Sequence, residues 1–135
     1  MIVVDANVIA YAVLPGEQTE LSLAALARDP EWVAPPLWQS EVRNILATTM
    51  RVKGLAFELA VDAWGQAKRL VVDVPAAPDT ARILRLAGES GASAYDCEYV
   101  ALAETLGVPL VTGDGPLARR FRAQAIHLLA FARGD

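Results

Sequence analysis

Short apolar runs alternate along this chain with longer stretches in which apolar residues recur every three or four positions. The runs are rich in β-branched residues and are bounded by polar residues, glycine or proline, which is typical of short buried strands. The predicted strands are residues 2–4, 32–34, 70–74, 108–111 and 126–129. The predicted helices are residues 7–13, 18–28, 37–53, 55–68, 78–89 and 93–106, with a short one beginning at Asp114 or Gly115. We expect Pro75 to close the third strand and a short polar tail to follow the last one.

This alternation of strands and helices predicts an α/β fold. Strands that are apolar on both faces belong to sheets covered on both sides, and helical crossovers between them make the sheet parallel. We therefore expect a central, mostly parallel sheet with helices on both faces. The chain shows no repeat, low-complexity stretch or linker, so residues 1–135 are interpreted as one domain.

Four acidic residues stand near the predicted ends of strands or the starts of helices. Asp5 directly follows the first strand, and Asp114 follows the strand that ends near Val111. Glu41 and Asp96 lie near the beginnings of two helices. In sheets of this type, binding sites gather outside the carboxyl ends of the strands. The four acids are therefore candidates for a common site.

Each of these acids also has a purely structural explanation. Asp5 and Asp114 are suitable N-caps for the helices that follow them. Asp96 lies three residues after Ser93, as in a capping box, although that motif favours Glu or Gln at its last position. Glu41 is favourable near a helix N-terminus through the helix dipole. Taken singly, each of the four acids is explained at least as well by such a structural role as by a functional one.

Helical phase favours the shared site. Asp96 lies on the same stripe as Tyr99 and Val100, and Glu41 on the same face as Trp38 and Ile45. A carboxylate on a core-facing stripe is costly without a partner, and neither stripe carries a basic residue. We infer that the missing positive charge comes from outside the chain. Carboxylate oxygens suit hard cations, so Mg²⁺ is the expected cofactor, with Mn²⁺ as a substitute.

The remaining chemistry is sparse. His127 is the only histidine and lies in an apolar run, which favours a structural strand residue over a ligand. Cys97 is the only cysteine, so a zinc site built from Cys and His is not indicated, and Cys97 is interpreted as a packing residue. Nucleotide-binding motifs such as GxGxxG or GxxxxGK[ST] are absent. These observations leave the acids as the main candidate chemistry.

Composition indicates where in the cell the protein is expected. The chain is 54% hydrophobic, carries a formal net charge of -4 and has a pI near 5.0. No apolar stretch reaches the ~20 residues of a membrane-spanning helix, and the start lacks the features of a secretory signal. One cysteine permits no intrachain disulfide. We expect a cytoplasmic protein with no membrane association.

Four stretches together resemble a known family. VVDANVIAY around Asp5, SEVRNIL around Glu41, SAYDCEYVALAE around Asp96 and LVTGDGPLAR around Asp114 are similar in order and spacing to PIN-domain proteins, more narrowly to VapC-type toxin ribonucleases. The resemblance implies an α/β/α sandwich and metal-dependent endonucleolytic hydrolysis of RNA, with products carrying 5′-phosphate and 3′-hydroxyl ends. It spans nearly the whole chain.

The resemblance also implies residue roles. The catalytic quartet would be Asp5, Glu41, Asp96 and Asp114, with the three aspartates as metal ligands. Asn7, Ser40 and Thr112 would support these ligands, although Asn7 is equally explained as a polar residue at a helix start. Many relatives carry a further acid a few residues later, where this chain has residues 117–119, Leu-Ala-Arg. The number of metal ions therefore stays open.

Basic residues near these motifs are candidates for contact with the RNA backbone. They are Arg43, Arg119, Arg120 and Arg122. Phosphate contacts need such cations, but an ordinary solvated helix face explains each of them as well. Trp38 is a candidate for base stacking, with a core position as the alternative.

The resemblance implies two protein partners, a cognate antitoxin and a second copy of the chain. Apolar faces on the predicted helices at 55–68 and 21–27 favour self-association. Two other functions remain open, a PIN nuclease in RNA processing or on structured DNA outside toxin–antitoxin systems, and a non-catalytic module that binds a basic partner in its acidic pocket. A phospho-receiver is disfavoured, since the first strand delivers one Asp and no Lys follows Lys68.

Overall fold

The computed structural model describes residues 1–74 and 78–134. The strands are β1 (Ile2–Val4), β2 (Trp32–Ala34), β3 (Val71–Asp73), β4 (Leu110–Thr112) and β5 (Ala125–His127). The helices are α1 (Ala6–Val13), α2 (Thr19–Arg28), α3 (Leu37–Lys53), α4 (Phe57–Leu70), α5 (Thr80–Ser90), α6 (Ala94–Leu106), α7 (Gly115–Arg120) and α8 (Leu128–Arg133).

The five strands form one parallel sheet in the order β3-β2-β1-β4-β5. β1 lies at the centre, where Val3 is in register with Val33 of β2 and Leu110 of β4. The chain moves one way from β1 to β3 and the other way from β4 to β5. Right-handed crossovers therefore place helices on both faces of the sheet. The predicted α/β fold with a central parallel sheet is confirmed.

The core lies between the sheet and these helices. The side chains of Trp32, Ile9 and Leu102 are almost completely buried, as is that of Trp38 on α3. The Trp38 ring stacks on Trp64 of α4 with their centroids 5.5 Å apart. Trp38 is thus a core residue, and its burial leaves no face for stacking an RNA base.

Local signals explain several element boundaries. The hydroxyl of Ser93 accepts a hydrogen bond from the Asp96 N–H at 3.0 Å and caps α6. Gly54 ends α3 with a φ of 69°, a conformation that costs glycine little because it has no Cβ. Both boundaries agree with the sequence prediction.

The carboxyl end of the chain differs from the prediction. The expected strand at 126–129 with a polar tail is wrong, because β5 ends at His127 and helix α8 begins at Leu128. Nδ1 of His127 accepts a hydrogen bond from the Leu129 N–H at 3.2 Å and so caps the helix. A short apolar run suits either a strand or a buried helix. Here α8 packs against α2, and this packing stabilises the helical conformation of the segment after His127.

Several other element bounds shift by one or two residues, among them those of the helices predicted at 55–68 and 78–89. The predicted strand at 70–74 begins at Val71 because α4 continues to Leu70, and the predicted strand at 108–111 is residues 110–112. Pro75, expected to close β3, lies outside the described residues. Among the helices that the structure describes, none is both long and apolar enough to cross a membrane.

Candidate active site

The four predicted acids line a single cavity of about 560 Å³. Asp5 connects β1 to α1, and Asp114 connects β4 to α7. Glu41 lies in the second turn of α3, which follows β2, and Asp96 lies in the first turn of α6. The carboxyl ends of β1, β2 and β4 meet here because the strands are parallel neighbours. Asn7 and Ser40 also line the cavity.

Both oxygens of the Asp5 carboxylate are held by this chain. Oδ1 accepts a hydrogen bond from the Val8 N–H at 3.0 Å, which caps α1. Oδ2 accepts one from the Gly113 N–H at 3.2 Å and another from the Thr112 hydroxyl. A carboxylate offers about four lone-pair positions. Asp5 therefore caps a helix and keeps capacity to bind a further ligand.

Thr112 joins the first and last acids of the quartet. Its side chain is fully buried, and its hydroxyl donates to Asp5 while accepting from the Asp114 N–H at 2.9 Å. Oδ1 of Asp114 accepts from the Leu117 N–H at 3.1 Å and caps α7. The capping explanations for Asp5 and Asp114 are thus correct, and they are compatible with a place in the cavity.

Glu41 is held by a residue that the sequence analysis did not single out. The hydroxyl of Tyr99 donates to Oε1 of Glu41 at 2.6 Å, and Tyr99 is only 2% exposed. The sequence places Tyr99 on an apolar stripe. A buried tyrosine hydroxyl usually finds a hydrogen-bond partner, so this hydroxyl was the one sequence feature that indicated a polar contact. The contact links α6 to α3 across the cavity.

No sequence pattern indicated the other residues that line the acidic cavity. Asn44, Tyr95 and Leu37 also line the cavity. Gly113 matters through its backbone, and a Cβ at this position would lie 3.1 Å from the Tyr11 ring. The glycine thus lets the loop after β4 approach α1 closely enough to bond Asp5.

Burial and mutual repulsion raise the pKa values of two of the acids. Burial is the largest cause at Asp5 and, with the nearby Glu41 charge, raises its pKa to about 6 despite the opposing hydrogen bonds from Thr112, Val8 and Gly113. Burial and the charge of Asp114 raise the pKa of Asp96. Neither ion pair found among the described residues involves an acid of the cavity. An external cation would relieve this repulsion.

The four carboxylates of the cavity have the right chemistry for a divalent cation, but their positions do not form a complete set of ligands. The four carboxylates are hard oxygen donors of the kind that Mg²⁺ and Mn²⁺ prefer. Within residues 1–74 and 78–134, however, no three His, Cys, Asp or Glu side chains stand where they could hold one ion together. Mg²⁺ often binds through one or two carboxylates and keeps several water molecules. The cavity suits that partly hydrated mode.

The four candidate arginines lie in different surroundings. Arg119 and Arg122 line a second cavity, which begins at Gly115, next to Asp114. Arg120 lines another cavity with Glu89 and Glu104, which Arg122 also lines. The charge of Arg120 opposes the rise in the Asp96 pKa.

Arg43 lies over the Trp64 ring, 4.6 Å from its centroid, and donates to Gln39 at 3.4 Å. These contacts favour a structural role for Arg43, since it does not line the acidic cavity.

Comparisons with known proteins agree with this architecture. Residues 2–121 match the family model of the PIN domain. Ribonuclease VapC3 of Pyrobaculum aerophilum is 34% identical over 131 residues, covering 90% of this chain and 95% of that protein. The crystal structure of PAE2754 from Pyrobaculum aerophilum superimposes with a TM-score of 0.77 over 99% of this chain and 97% of the other, at 21% identity. The chain therefore belongs to the PIN domain family and is of the VapC type.

Proposed function

We propose that this protein is a divalent-metal-dependent endoribonuclease that hydrolyses RNA phosphodiesters in the acidic cavity. The observation that carries the proposal is the convergence of Asp5, Glu41, Asp96 and Asp114, from four separate chain segments, on one cavity. Helix capping explains the positions of single acids but not their meeting. The similarity to a protein named a ribonuclease supports RNA as the substrate.

The expected cofactor is Mg²⁺, with Mn²⁺ as a substitute. Asp5, Asp96 and Asp114 are proposed as direct or water-mediated ligands, with one ion or two. When bound, the metal supplies activation of water and neutralisation of phosphate charge. Asn7 and Ser40, at the rim, and Thr112, beneath Asp5, are proposed to support the ligands.

The chain's own groups have distinct tasks in this proposal. Tyr99 occupies Oε1 of Glu41 and leaves Oε2 to accept a hydrogen bond from the attacking water. Thr112 and Gly113 hold Asp5 in one orientation, so that its carboxylate is preorganised before substrate arrives. Glu41 is accordingly proposed to position water or to bind metal.

Recognition of RNA is assigned to basic residues outside the acids. Arg119, Arg120 and Arg122 are the proposed backbone contacts, because they lie on or just after α7, beside Asp114. Of the four candidates, Arg43 has the weakest support, since it is engaged by Trp64.

We further propose that the chain is one PIN domain over residues 1–135, acting in the cytoplasm as the toxin of a VapBC-type toxin–antitoxin pair. A cognate antitoxin would then inhibit it by occupying the acidic cavity with a basic side chain. A homodimer is the proposed assembly. A small antitoxin gene beside the gene for this chain would support the pairing.

The test is cleavage of a mixed RNA pool by purified protein with Mg²⁺ or Mn²⁺, compared with EDTA. Asp96→Asn is the test variant, and Glu58→Gln, at an exposed position on α4, is the matched control. We expect metal-dependent cutting that the control retains and Asp96→Asn loses. Cutting that survives both EDTA and Asp96→Asn would contradict the proposed site.

A further inference from the structure

A second cavity lies beside the acidic one and has the opposite charge. Its volume is about 470 Å³, and it is lined by Gly115, Ala118, Arg119, Arg122, Ala125, Ile126 and His127. No carboxylate is among these residues, although the chain carries a net charge of -4. The charged and polar side chains facing this cavity are thus all hydrogen-bond donors or potential donors.

The two cavities adjoin through consecutive residues. Asp114 lines the acidic cavity, and Gly115 lines the basic one. A Cβ at Gly115 would lie 3.1 Å from Nη1 of Arg119. The absence of a side chain at this position therefore lets Arg119 fold back along α7 toward the turn that carries Asp114.

His127 contributes a donor of defined position. Its Nδ1 accepts the hydrogen bond from the Leu129 N–H, so the neutral ring carries its proton on Nε2. Nε2–H has no hydrogen-bond partner among the residues that the structure describes, and His127 lines the cavity. The helix cap that defines the start of α8 also sets the tautomer of this histidine.

The two arginines are available for a ligand. Both are exposed, and neither forms an ion pair with any residue that the structure describes. Arg120, between them in sequence, lines a cavity with Glu89 and Glu104, and Arg122 lines that cavity as well. Arg119 and Arg122 therefore share the basic cavity, which Arg120 does not line, and Arg122 lies between the two cavities.

We propose that Arg119, Arg122 and His127 form a binding subsite for a phosphodiester group of the RNA strand, beside the phosphate that is cleaved in the acidic cavity. Arginine forks and an imidazole N–H are suited to phosphate oxygens. The subsite rests on the proposed function for its ligand. An RNA strand bound beside Asp114 would lie next to the cavity that begins at Gly115. Its role is to position the strand.

The first experiment measures binding without cleavage. A labelled single-stranded oligoribonucleotide is titrated in EDTA with wild type, with Arg119→Gln/Arg122→Gln, and with Arg69→Gln/Arg85→Gln as a control of equal charge change on other helices. We expect the first double variant to bind about tenfold more weakly, as when a charge-assisted hydrogen bond is removed. Its salt dependence should be shallower by about 0.7 for each phosphate that the variant no longer neutralises, and the control should match wild type.

His127→Asn tests the histidine separately. Asn is a good N-cap, so this variant keeps an acceptor for the Leu129 N–H and removes the Nε2 donor. Weaker RNA binding with an unchanged melting temperature supports the subsite. Binding equal to wild type overturns the role of His127.

The second experiment separates the subsite from the cleavage chemistry. We expect the arginine variant to lower the ratio of kcat/KM for the oligonucleotide to that for a dinucleotide about tenfold, because a dinucleotide has a single phosphodiester and none remains for the subsite. An equal fall for both substrates overturns the subsite. If wild type cuts neither substrate but the binding difference is present, the proposed ribonuclease function fails and the subsite stands.

Inorganic phosphate distinguishes a strand from a free anion. If phosphate raises the melting temperature of wild type but not of the arginine variant, and both bind RNA equally, the cavity takes a small anion and the RNA assignment is overturned. Loss of RNA binding in the arginine variant alone supports it.

Discussion

Asp5 combines two tasks that the sequence presented as alternatives. One carboxylate oxygen caps α1. The other accepts hydrogen bonds from Thr112, the last residue of β4, and from Gly113, which follows it. The fixed carboxylate is buried without a basic partner among the described residues. Its hydrogen bonds therefore offset only part of the cost of its charge.

This cost predicts an unusual pH dependence for the metal-free protein. The pKa of Asp5 is about 6 in the folded state, above the ordinary value of 3.8. The folded protein then binds more protons at Asp5 between these values, so the contribution of Asp5 to stability is fully present below about pH 4 and is lost as pH rises through about 6. The full effect of Asp5 is about 3 kcal/mol.

Asp5→Asn should remove that fall. We expect urea unfolding in EDTA, at a series of pH values from 4 to 7, to show a smaller loss of stability in the variant than in wild type. Glu58→Gln, at an exposed position that does not line the cavity, should keep the wild-type slope. Equal slopes for wild type and Asp5→Asn would contradict the assigned cause.

Thr112 provides a second prediction at this scale. Thr112→Val keeps the shape but removes the hydroxyl, so Asp5 loses a donor and the Asp114 N–H loses its acceptor. We expect a loss of about 1–3 kcal/mol in unfolding free energy and a further rise in the Asp5 pKa, which weakens metal binding. The measurement is the rise in melting temperature with Mn²⁺.

Thr112→Ser is the matched control, because it keeps the hydroxyl and leaves only a methyl-sized gap. Its response to Mn²⁺ should stay close to wild type. A full Mn²⁺ response in Thr112→Val would mean that the link between Asp5 and Asp114 is not needed for metal binding.

At the scale of elements, α8 depends on α2. Arg28 of α2 lies over the Phe131 ring, 5.3 Å from its centroid, and its guanidinium contacts the position where a Cβ on Gly134 would be. Gly134 ends α8 with a φ of 81°. It therefore permits both the helix end and the approach of Arg28.

We expect Gly134→Ala to destabilise the protein more than Gly91→Ala. Gly91 has a similar φ of 74°, but nothing lies within 4 Å of its Cβ position. Gly91→Ala therefore measures only the backbone strain, about 1–2 kcal/mol. The extra loss at Gly134 should disappear in an Arg28→Ala background, as measured by a double-mutant cycle. Independent, additive effects would remove the Arg28 contact from the explanation.

The sequence predicted those elements whose signals are local. β1, β2 and α3 have the predicted bounds because β-branched runs, helical periodicity and Gly54 all agree. α8 was missed because its stability comes from α2, more than 90 positions earlier in the chain. The meeting of the four acids followed from parallel strands, whereas the bond from Tyr99 to Glu41 depends on packing between α6 and α3 that no periodicity reveals.

At the scale of the whole molecule, α4 presents apolar side chains to solvent. Phe57 is 65% exposed and Val61 is 50% exposed, one helical turn apart. α8 packs against α2, so the α4 face is the more open of the two surfaces predicted for self-association. This favours α4 as part of the proposed dimer contact.

The prediction is that Phe57→Ser/Val61→Ser lowers the molar mass in solution from dimer to monomer, measured by light scattering after size-exclusion chromatography. Leu84→Ser, at an equally exposed leucine on α5, is the control and should remain dimeric. A dimer that persists in the double variant would place the contact elsewhere.

The bond from Thr112 to Asp5 spans 107 positions of the chain. β4, which carries Thr112, is also a neighbour of the central strand β1. During synthesis, Asp5 leaves the ribosome long before the residues that complete its surroundings. A nascent chain therefore has no assembled cavity until its last quarter has emerged. For a protein proposed to cut RNA, this delay would protect the messenger from which it is being translated.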